Sequence, residues 1–239
     1  MSQSRLRWMG IAGIVGALSF TVGDILLLGA DRQRDRHPVL SDTAMKHRAP
    51  ELLDASPRGL SSGALAGILP PPLFLAGFAN IHEGLRPAGF WGATVPFALL
   101  AAAWTYPSYI HGTFLAYGSA YQLLDEHVAA DSPLTPAARV HYRRIEKVLG
   151  VSYLPFLGAT AAASGLIAWH VAAGRTRYPR WAAPLLAPAP AILASGYLEH
   201  AVTRDRDVRA PLRGAGLSIG HLIPFIASTA LQWKDRTHG

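Results

Sequence analysis

Apolar residues run along this chain in long stretches that are almost free of charge. Five windows contain no Asp, Glu, Lys or Arg: 59–82, 87–124, 148–174, 181–198 and 214–233. In a sixth window, 8–30, Asp24 is the one charged residue. A helix needs about 20 mostly apolar residues to cross the core of a bilayer. The pattern therefore predicts a chain that crosses a membrane several times.

The window 87–124 is too long for a single crossing. At about 1.5 Å per residue it would form a helix of about 57 Å, nearly twice the ~30 Å of a bilayer core. We therefore predict a hairpin that reverses at Tyr106-Pro107, because the residue before a proline is disfavoured in a helix. Seven spans follow, near 8–29, 59–82, 89–105, 107–127, 146–172, 181–202 and 212–233.

These spans predict an all-α fold, a seven-transmembrane-helix bundle with proline-kinked helices that forms one domain over residues 1–239. Only helices and closed barrels satisfy the backbone in lipid, and the chain has no alternating ten-residue strand pattern. The spacings Gly13-x3-Ala17 and Gly63-x3-Gly67 favour close helix contacts. Prolines inside the spans, such as Pro70 and Pro188, predict kinks with room for a ligand between helices.

Composition supports a membrane protein and narrows its chemistry. Half of the residues are hydrophobic and 15% are charged, against about 25% charged residues in an ordinary soluble domain. The chain has no cysteine, which excludes disulfides, thiolate catalysis and cysteine-bound metals. The net charge of +7 lies beside apolar spans, so anionic lipid headgroups rather than nucleic acid are the expected partners.

The charged loop 31–58 is the longest polar segment of the chain. A short interfacial helix from Pro50 to Ser56 would let it cap one mouth of the bundle, and a solvated linker is the alternative. We expect an integral protein of a bacterial inner membrane. Its orientation stays open, because the seven-span layout puts 11 of the 22 Lys and Arg residues on each side.

Ionisable groups inside spans are costly in lipid and mark candidate sites. Threading the spans in alternate directions puts Asp24, His111 and His221 in one layer as candidate catalytic residues, with Tyr109 nearby as a candidate substrate-binding residue and His170 at the margin. A carboxylate and two imidazoles in such a layer can exchange protons with a substrate. A second layer on the opposite, N-terminal side carries candidate substrate-binding residues: Asn80, His82, Glu83 and Glu199, with His200 beside them.

No cofactor is predicted, although Asp24, His111 and His221 would suit a His/Asp-bound metal as an alternative. The chain has no HxxxH or HExxH pair to strengthen that interpretation. A GxSxG string occurs at Gly216-Leu-Ser218-Ile-Gly220. A serine hydrolase needs this string on a strained strand-to-helix turn, whereas here it lies in a predicted span. We interpret it as small residues at a helix contact.

Three strings resemble a family of bacterial polytopic membrane proteins without a known function. They are Gly23-Asp24-Ile-Leu-Leu-Leu, the run from Arg58 through Gly-Leu-Ser-Ser-Gly-Ala-Leu-Ala-Gly, and His111-Gly-Thr-Phe. The resemblance implies a topology and gives weight to Asp24 and His111, but it implies no reaction. The size and layout are also similar to small integral-membrane terpene cyclases. Glu83 matches an acid on their second span, whereas His221 stands where their last span has an acid.

We favour an enzyme that cyclises or isomerises an isoprenoid or sterol-like lipid by proton transfer. Asp24 would donate the proton or stabilise a carbocation, His111 would orient it or act as base, and His221 would complete the wall of the site. Two alternatives are a metal-dependent intramembrane lipid hydrolase and a non-catalytic lipid-binding protein or small transporter. The substrate, the reaction and the oligomeric state do not follow from the sequence.

Overall fold

The structure is a computed structural model that describes residues 2–29, 36–42, 50–203 and 214–234. Every regular element in these ranges is helical, which confirms the all-α prediction. The α-helices are α1 (Gln3–Leu28), α2 (Glu51–Asp54), α3 (Pro57–Ile68), α4 (Pro71–Leu85), α5 (Val95–Ala103), α6 (Tyr106–Ala129), α7 (Thr135–Ala172), α8 (Ala183–Leu186), α9 (Pro188–Thr203) and α10 (Gly216–Lys234). Short 3-10 turns cover Pro38–Ser41, Arg86–Ala88 and Arg180–Ala182, and a π-helical turn covers Phe90–Thr94.

Local sequence explains where the helices begin. Ser56 caps α3 by accepting a hydrogen bond from the Gly59 amide at 3.0 Å, and Pro57 occupies the first turn. Proline suits this position because the first helical amides lack an intrahelical partner. The first turns of α4, α6 and α7 also contain a proline. Several of these prolines therefore start a new helix at a bend instead of lying in the middle of a kinked one.

The described helices form six antiparallel passes through one bundle. Arg7 lies over the Trp233 ring at 4.1 Å, which brings the start of α1 and the end of α10 together at what we call the terminal end. The opposite end, where α3 begins and α6 ends, is the loop end. The passes are α1, α3 with α4, Phe90–Ala129, α7, Arg180–Thr203 and α10.

The predicted hairpin at 87–124 is wrong, because residues 90–129 form a single bent pass along α7. From the terminal end towards the loop end, Gly92 lies at His170, the Trp104 and Phe156 rings are 6.0 Å apart, and the Tyr117 hydroxyl is 2.6 Å from that of Tyr142. The chain bends at Trp104–Thr105 without reversing. This pass is longer than one bilayer crossing requires. The last turns of α6 and the first turns of α7 carry charged residues, so this end of the pass can extend beyond the apolar core of a bilayer.

Seven separate spans are accordingly not confirmed. Among the described residues, three helical segments are long and apolar enough to cross a membrane: Gln3–Leu28, Pro57–Ala88, which joins α3 and α4 across Leu69–Pro70, and Thr135–Ala172. A fourth is added if Arg180–Leu186 and Pro188–Ala201, bent by 61° at Ala187, count as one broken span. The start of the span predicted near 212–233 lies outside the described residues, as do 31–35 and 43–49 of the charged loop.

Small residues let α1 approach its neighbours closely. A Cβ added to Gly13 would lie 2.7 Å from the Gly77 Cα of α4, and one added to Gly63 would lie 2.9 Å from the Gly23 carbonyl oxygen. Such contacts are tighter than side chains allow, so glycine is required where these backbones meet. The result is that α1 lies centrally, in contact with α3, α4 and α10.

At the loop end, residues 36–42 and α2 pack against α6. The Gln122 amide donates hydrogen bonds to the carbonyls of Leu52 and Ala55, at 2.7 and 2.8 Å. The predicted Pro50–Ser56 helix is present as α2. His37 links the two segments, because its Nδ1 lies 2.7 Å from Asp125 Oδ2 on α6 and its Nε2 lies 3.1 Å from Asp54 Oδ1 on α2.

His37 makes the packing of this segment pH-dependent. Partial burial lowers its pKa, but the hydrogen bonds and charges of Asp125 and Asp54 outweigh burial and raise the pKa above its ordinary value. A raised folded-state pKa adds stability that is complete below the unfolded value and is lost as pH rises through the folded value. We expect His37→Gln to speed amide exchange at Val39 and Leu40 near pH 6, and less so near pH 9.

The control for this measurement is His141→Gln on the exposed face of α7. It removes the same type of side chain without touching Asp54 or Asp125, so exchange at Val39 should not change. An effect of His37→Gln that is equal at the two pH values would contradict the ionic role of His37.

Candidate functional site

The centre of the candidate site is a buried pair of Asp24 on α1 and His111 on α6. His111 Nε2 lies 3.3 Å from Asp24 Oδ1, and the two side chains are 3% and 13% exposed, respectively. The other face of the imidazole, at Nδ1, lies against the backbone of α3 at Gly63 and Gly67. A Cβ at position 67 would overlap the ring, so this glycine makes room for His111. The structure thus brings together Asp24 and His111, the two residues that the sequence analysis favours most.

Three further polar side chains converge on Asp24 from other passes. Ser218, in the first turn of α10, is within hydrogen-bonding reach of the carboxyl, and Tyr153 of α7 and Glu199 of α9 interact with it electrostatically. Ser218 Oγ also donates to the Ala215 carbonyl at 2.8 Å. With that proton engaged, a protonated Asp24 can donate to Ser218. The carboxyl therefore lies where it can hold and exchange a proton.

Glu199 anchors the start of α10 next to this centre. Its two carboxylate oxygens accept hydrogen bonds from the Gly214 and Gly216 amides, at 2.5 and 2.9 Å. Gly214 has a φ of +80°, a left-handed conformation that favours glycine. Gly216 and Gly220 pack directly on the α9 backbone, as the helix-contact interpretation of the GxSxG string predicts. Ser218 is held between them and faces Asp24.

His221 lies one turn beyond Ser218 and is separated from the Asp24–His111 pair by aromatic rings. Its Nδ1 donates to the Leu217 carbonyl at 2.9 Å, and its ring meets Trp104 edge-on at 4.9 Å. Its Nε2 and the Trp104 Nε1 are both buried and have no hydrogen-bond partner in the described part of the chain. His221 therefore belongs to the wall around the pair and not to the pair itself.

That wall is a cluster of aromatic side chains in the middle of the bundle. Phe74 stacks on Trp104 at 3.5 Å, and Phe20 lies 5.3 Å from Trp104 and 4.3 Å from the His111 ring. All three aromatic residues are buried. Ring faces attract positive charge, so such a lining suits a cationic intermediate next to Asp24.

The structure places the candidate substrate-binding residues at three separate positions: Asn80, His82 and Glu83 at the end of α4, Tyr109 on α6 and Glu199 on α9. Tyr109 is 49% exposed, on the outer face of α6, one turn before Thr113. Asn80, at the terminal end, donates to the Leu6 carbonyl at 2.8 Å and accepts from Ser228 and Gln232. His82 and Glu83 lie at the same end, where Glu83 pairs with Arg86 at 3.3 Å.

Three residues lie at the end opposite to the one expected from the sequence: Glu199, the adjacent His200 and His170. Glu199 lies with Asp24 and not with Asn80, and His170 lies at the terminal end beside Gly92 and not near Asp24. The cause is the incorrectly predicted hairpin at residues 87–124. Since 90–129 is one pass and not two, every later helix runs opposite to the predicted direction.

The described residues contain no group of three or more His, Asp or Glu side chains arranged to hold a metal ion. In particular, His221 does not join Asp24 and His111, so the three proposed metal ligands are not assembled. Sequence reasoning placed neither Ser218 nor Tyr153 beside Asp24. With the correct directions of α7 and α10, the sequence would have placed both residues at the level of Asp24.

Comparisons with known proteins agree with the resemblance noted in the sequence but supply no activity. No curated protein matches the chain, and no solved structure matches it. One family model matches residues 1–235, which is nearly the whole chain. The chain belongs to that family, a family of unknown function designated DUF6796.

Proposed function

We propose that the chain is an integral membrane protein with six passes and with its loop end in the cytoplasm. The membrane we propose is a bacterial inner membrane, on the strength of the resemblance described above. In a six-pass layout, 14 of the 22 Lys and Arg residues fall in the parts of the sequence that this layout assigns to the loop-end side, and 8 in those that it assigns to the terminal-end side. Because cytoplasmic loops are enriched in Lys and Arg, six passes resolve the tie left by seven spans.

Reporter fusions distinguish the two layouts. With six passes both termini lie on the same, external side, so alkaline phosphatase fused after Gly239 should be active and a fluorescent protein there should be dark. A fusion within the segment that follows Ala130 should show the opposite pattern. A fluorescent C-terminal fusion together with an external N-terminus would restore an odd number of passes and contradict the proposal.

We propose that the site transfers protons to and from an unsaturated lipid, as in the cyclisation or isomerisation of an isoprenoid. The observation that carries this proposal is the buried Asp24–His111 pair, 3.3 Å apart, with the Phe20 ring 4.3 Å from the His111 ring. Protonated Asp24 would add its proton to a carbon of a C=C bond. The carbocation would form against the rings of Phe20 and Trp104, which stabilise positive charge.

The reaction ends with the loss of a proton from a neighbouring carbon of the same lipid. The Asp24 carboxylate accepts this proton, and His111 Nε2 holds the carboxylate in place while it changes protonation state. The atoms balance without any oxidant or reductant, because the product is an isomer of the substrate. His221 completes the wall behind Trp104.

Deuterium from the solvent provides the test. The purified full-length protein in lipid nanodiscs is mixed with an isoprenoid lipid extract in D2O, and the products are analysed by mass spectrometry. A proton that passes through a solvent-exchanged carboxyl becomes a carbon-bound deuterium, so we expect products one mass unit heavier that keep the label in H2O. The absence of such products with every isoprenoid fraction tested would contradict the proposal.

Broken helices favour a proton-coupled transporter as the second candidate. The second pass breaks at Leu69–Pro70 and the third at Trp104–Thr105, and the Ser108 hydroxyl donates to the Ile68 carbonyl at 3.0 Å across the two breaks. The fifth pass bends by 61° at Ala187. Discontinuous helices with a nearby carboxylate are typical of secondary transporters. Proton uptake into vesicles that requires Asp24, without deuterium in any lipid, would favour this function.

A further inference from the structure

A groove runs along the outer surface of the bundle between α6 and α7. It has a volume of about 440 Å³ and is open along one side. Its lining residues are Tyr109, Gly112, Thr113, Ala116, Arg144, Ile145 and Val148. From Tyr109 to Ala116 the groove covers about 10 Å of helix at ~1.5 Å per residue.

The walls of the groove are apolar along its length. The Thr113 hydroxyl donates to the Tyr109 carbonyl of its own helix at 2.8 Å, so it offers no free polar hydrogen to the groove. Gly112 and Ala116 are small and leave the floor open, while Ile145 and Val148 form the opposite wall. Such a shape suits a flexible hydrocarbon chain.

The loop end of the groove carries a positive charge. Arg144 lies there next to Ala116, is exposed, and forms no ion pair or side-chain hydrogen bond with another described residue. Arg143 and Lys147 are exposed on the same turns of α7. From Val148 to Gly174 the chain has no charged residue, so Arg144 and Lys147 mark the level where the apolar part of α7 begins. In a membrane this is the level of the lipid headgroups.

We propose that the groove is a binding site for an anionic phospholipid, with one acyl chain along Gly112 and Ala116 and the phosphate on Arg144. Charge complementarity selects this occupant, because the forked donors of arginine match phosphate oxygens and the rest of the lining is apolar. The site rests on the membrane location proposed above and does not depend on the acid–base chemistry at Asp24.

Native mass spectrometry of the full-length protein tests the site directly. The protein in detergent micelles is titrated with phosphatidylglycerol, which is anionic, or with phosphatidylcholine, which has no net charge, both with the same acyl chains. We expect tighter binding of phosphatidylglycerol. Arg144→Gln should weaken phosphatidylglycerol binding about fivefold, the effect of removing one cation near an anionic headgroup. Binding of phosphatidylcholine should change much less.

Two matched controls separate the groove from the general surface. Arg175→Gln removes an exposed arginine at the terminal end and should leave the binding of both lipids unchanged. Ala116→Phe fills the groove and should reduce binding of both lipids, whereas Ala162→Phe on an exposed part of α7 should not. Equal effects of Arg144→Gln and Arg175→Gln, or unchanged binding in Ala116→Phe, would overturn the proposal. Lipid binding that persists without any deuterium transfer would leave this site intact and remove only the enzyme function.

Discussion

Asparagine in place of Asp24 is expected to lower deuterium incorporation into the lipid product at least about 100-fold, the usual scale of general acid–base catalysis. The amide keeps the size of the carboxyl and can still bond His111 Nε2 and Ser218. It cannot deliver or accept the proton, so the chemistry is lost while the fold is retained. The labelled product is measured by mass spectrometry, alongside the thermal unfolding temperature of the variant.

The control for this variant is Asp131→Asn, which changes an exposed carboxyl in the loop between α6 and α7. Product formation should then equal that of the unaltered chain. Full deuterium incorporation by Asp24→Asn would show that the buried carboxyl is not the proton donor. Asp24 would then be a structural residue that holds α1 against α6 and α10.

Alanine in place of Gly67 is expected to destabilise the fold and to separate the catalytic pair. The added Cβ would overlap the His111 imidazole, which is boxed in by α3 on one side and by Phe20 on the other. Overpacking of this kind in a close-packed interior costs about 1–3 kcal/mol. Displacement of the ring breaks the contact with Asp24, so product formation should fall together with the thermal unfolding temperature.

Gly158→Ala and Gly165→Ala are the matched controls. Both glycines lie in α7, and a Cβ at either position would meet nothing within 4 Å. Alanine favours the helix over glycine by about 1 kcal/mol, so these variants should be as stable as the original chain or slightly more so. An unfolding temperature that falls equally in all three variants would mean that the glycine spacing, and not the room for His111, is what matters.

Asp24→Asn and Gly67→Ala test different properties of the site and are best compared with each other. Asp24→Asn removes a proton carrier and leaves the packing in place, whereas Gly67→Ala changes the packing and leaves both ionisable groups present. Loss of product in both, with loss of stability only in Gly67→Ala, is the pattern expected for a site in which geometry and proton transfer are both required. A transporter would show the same dependence in proton uptake without labelled lipid.

One incorrect prediction, the chain reversal at Tyr106-Pro107, changes the predicted direction of every later helix and therefore the predicted composition of the site. Tyr106-Pro107 is a sound signal for a helix boundary, and a boundary is present there. The sequence could not show that the chain continues in the same direction, because a proline bend and a proline turn have the same local pattern. Packing against the 38-residue helix α7 decides between them, since α7 offers partners for both α5 and α6. The directions of α7, α9 and α10, and with them the place of Glu199, follow from that contact.

The sequence by itself determined that the chain is helical and apolar enough for a membrane, because long uncharged windows and the absence of an alternating pattern are properties of single segments. It also determined that Asp24 and His111 are the unusual residues, because an ionisable group in an apolar window is visible without any partner. Tertiary structure alone decided the number of passes through the bundle, the placement of Ser218, Tyr153 and Glu199 around Asp24, and the separation of His221 behind Trp104. These depend on which helix faces which, and that is set by glycine contacts and side-chain packing between segments far apart in the chain.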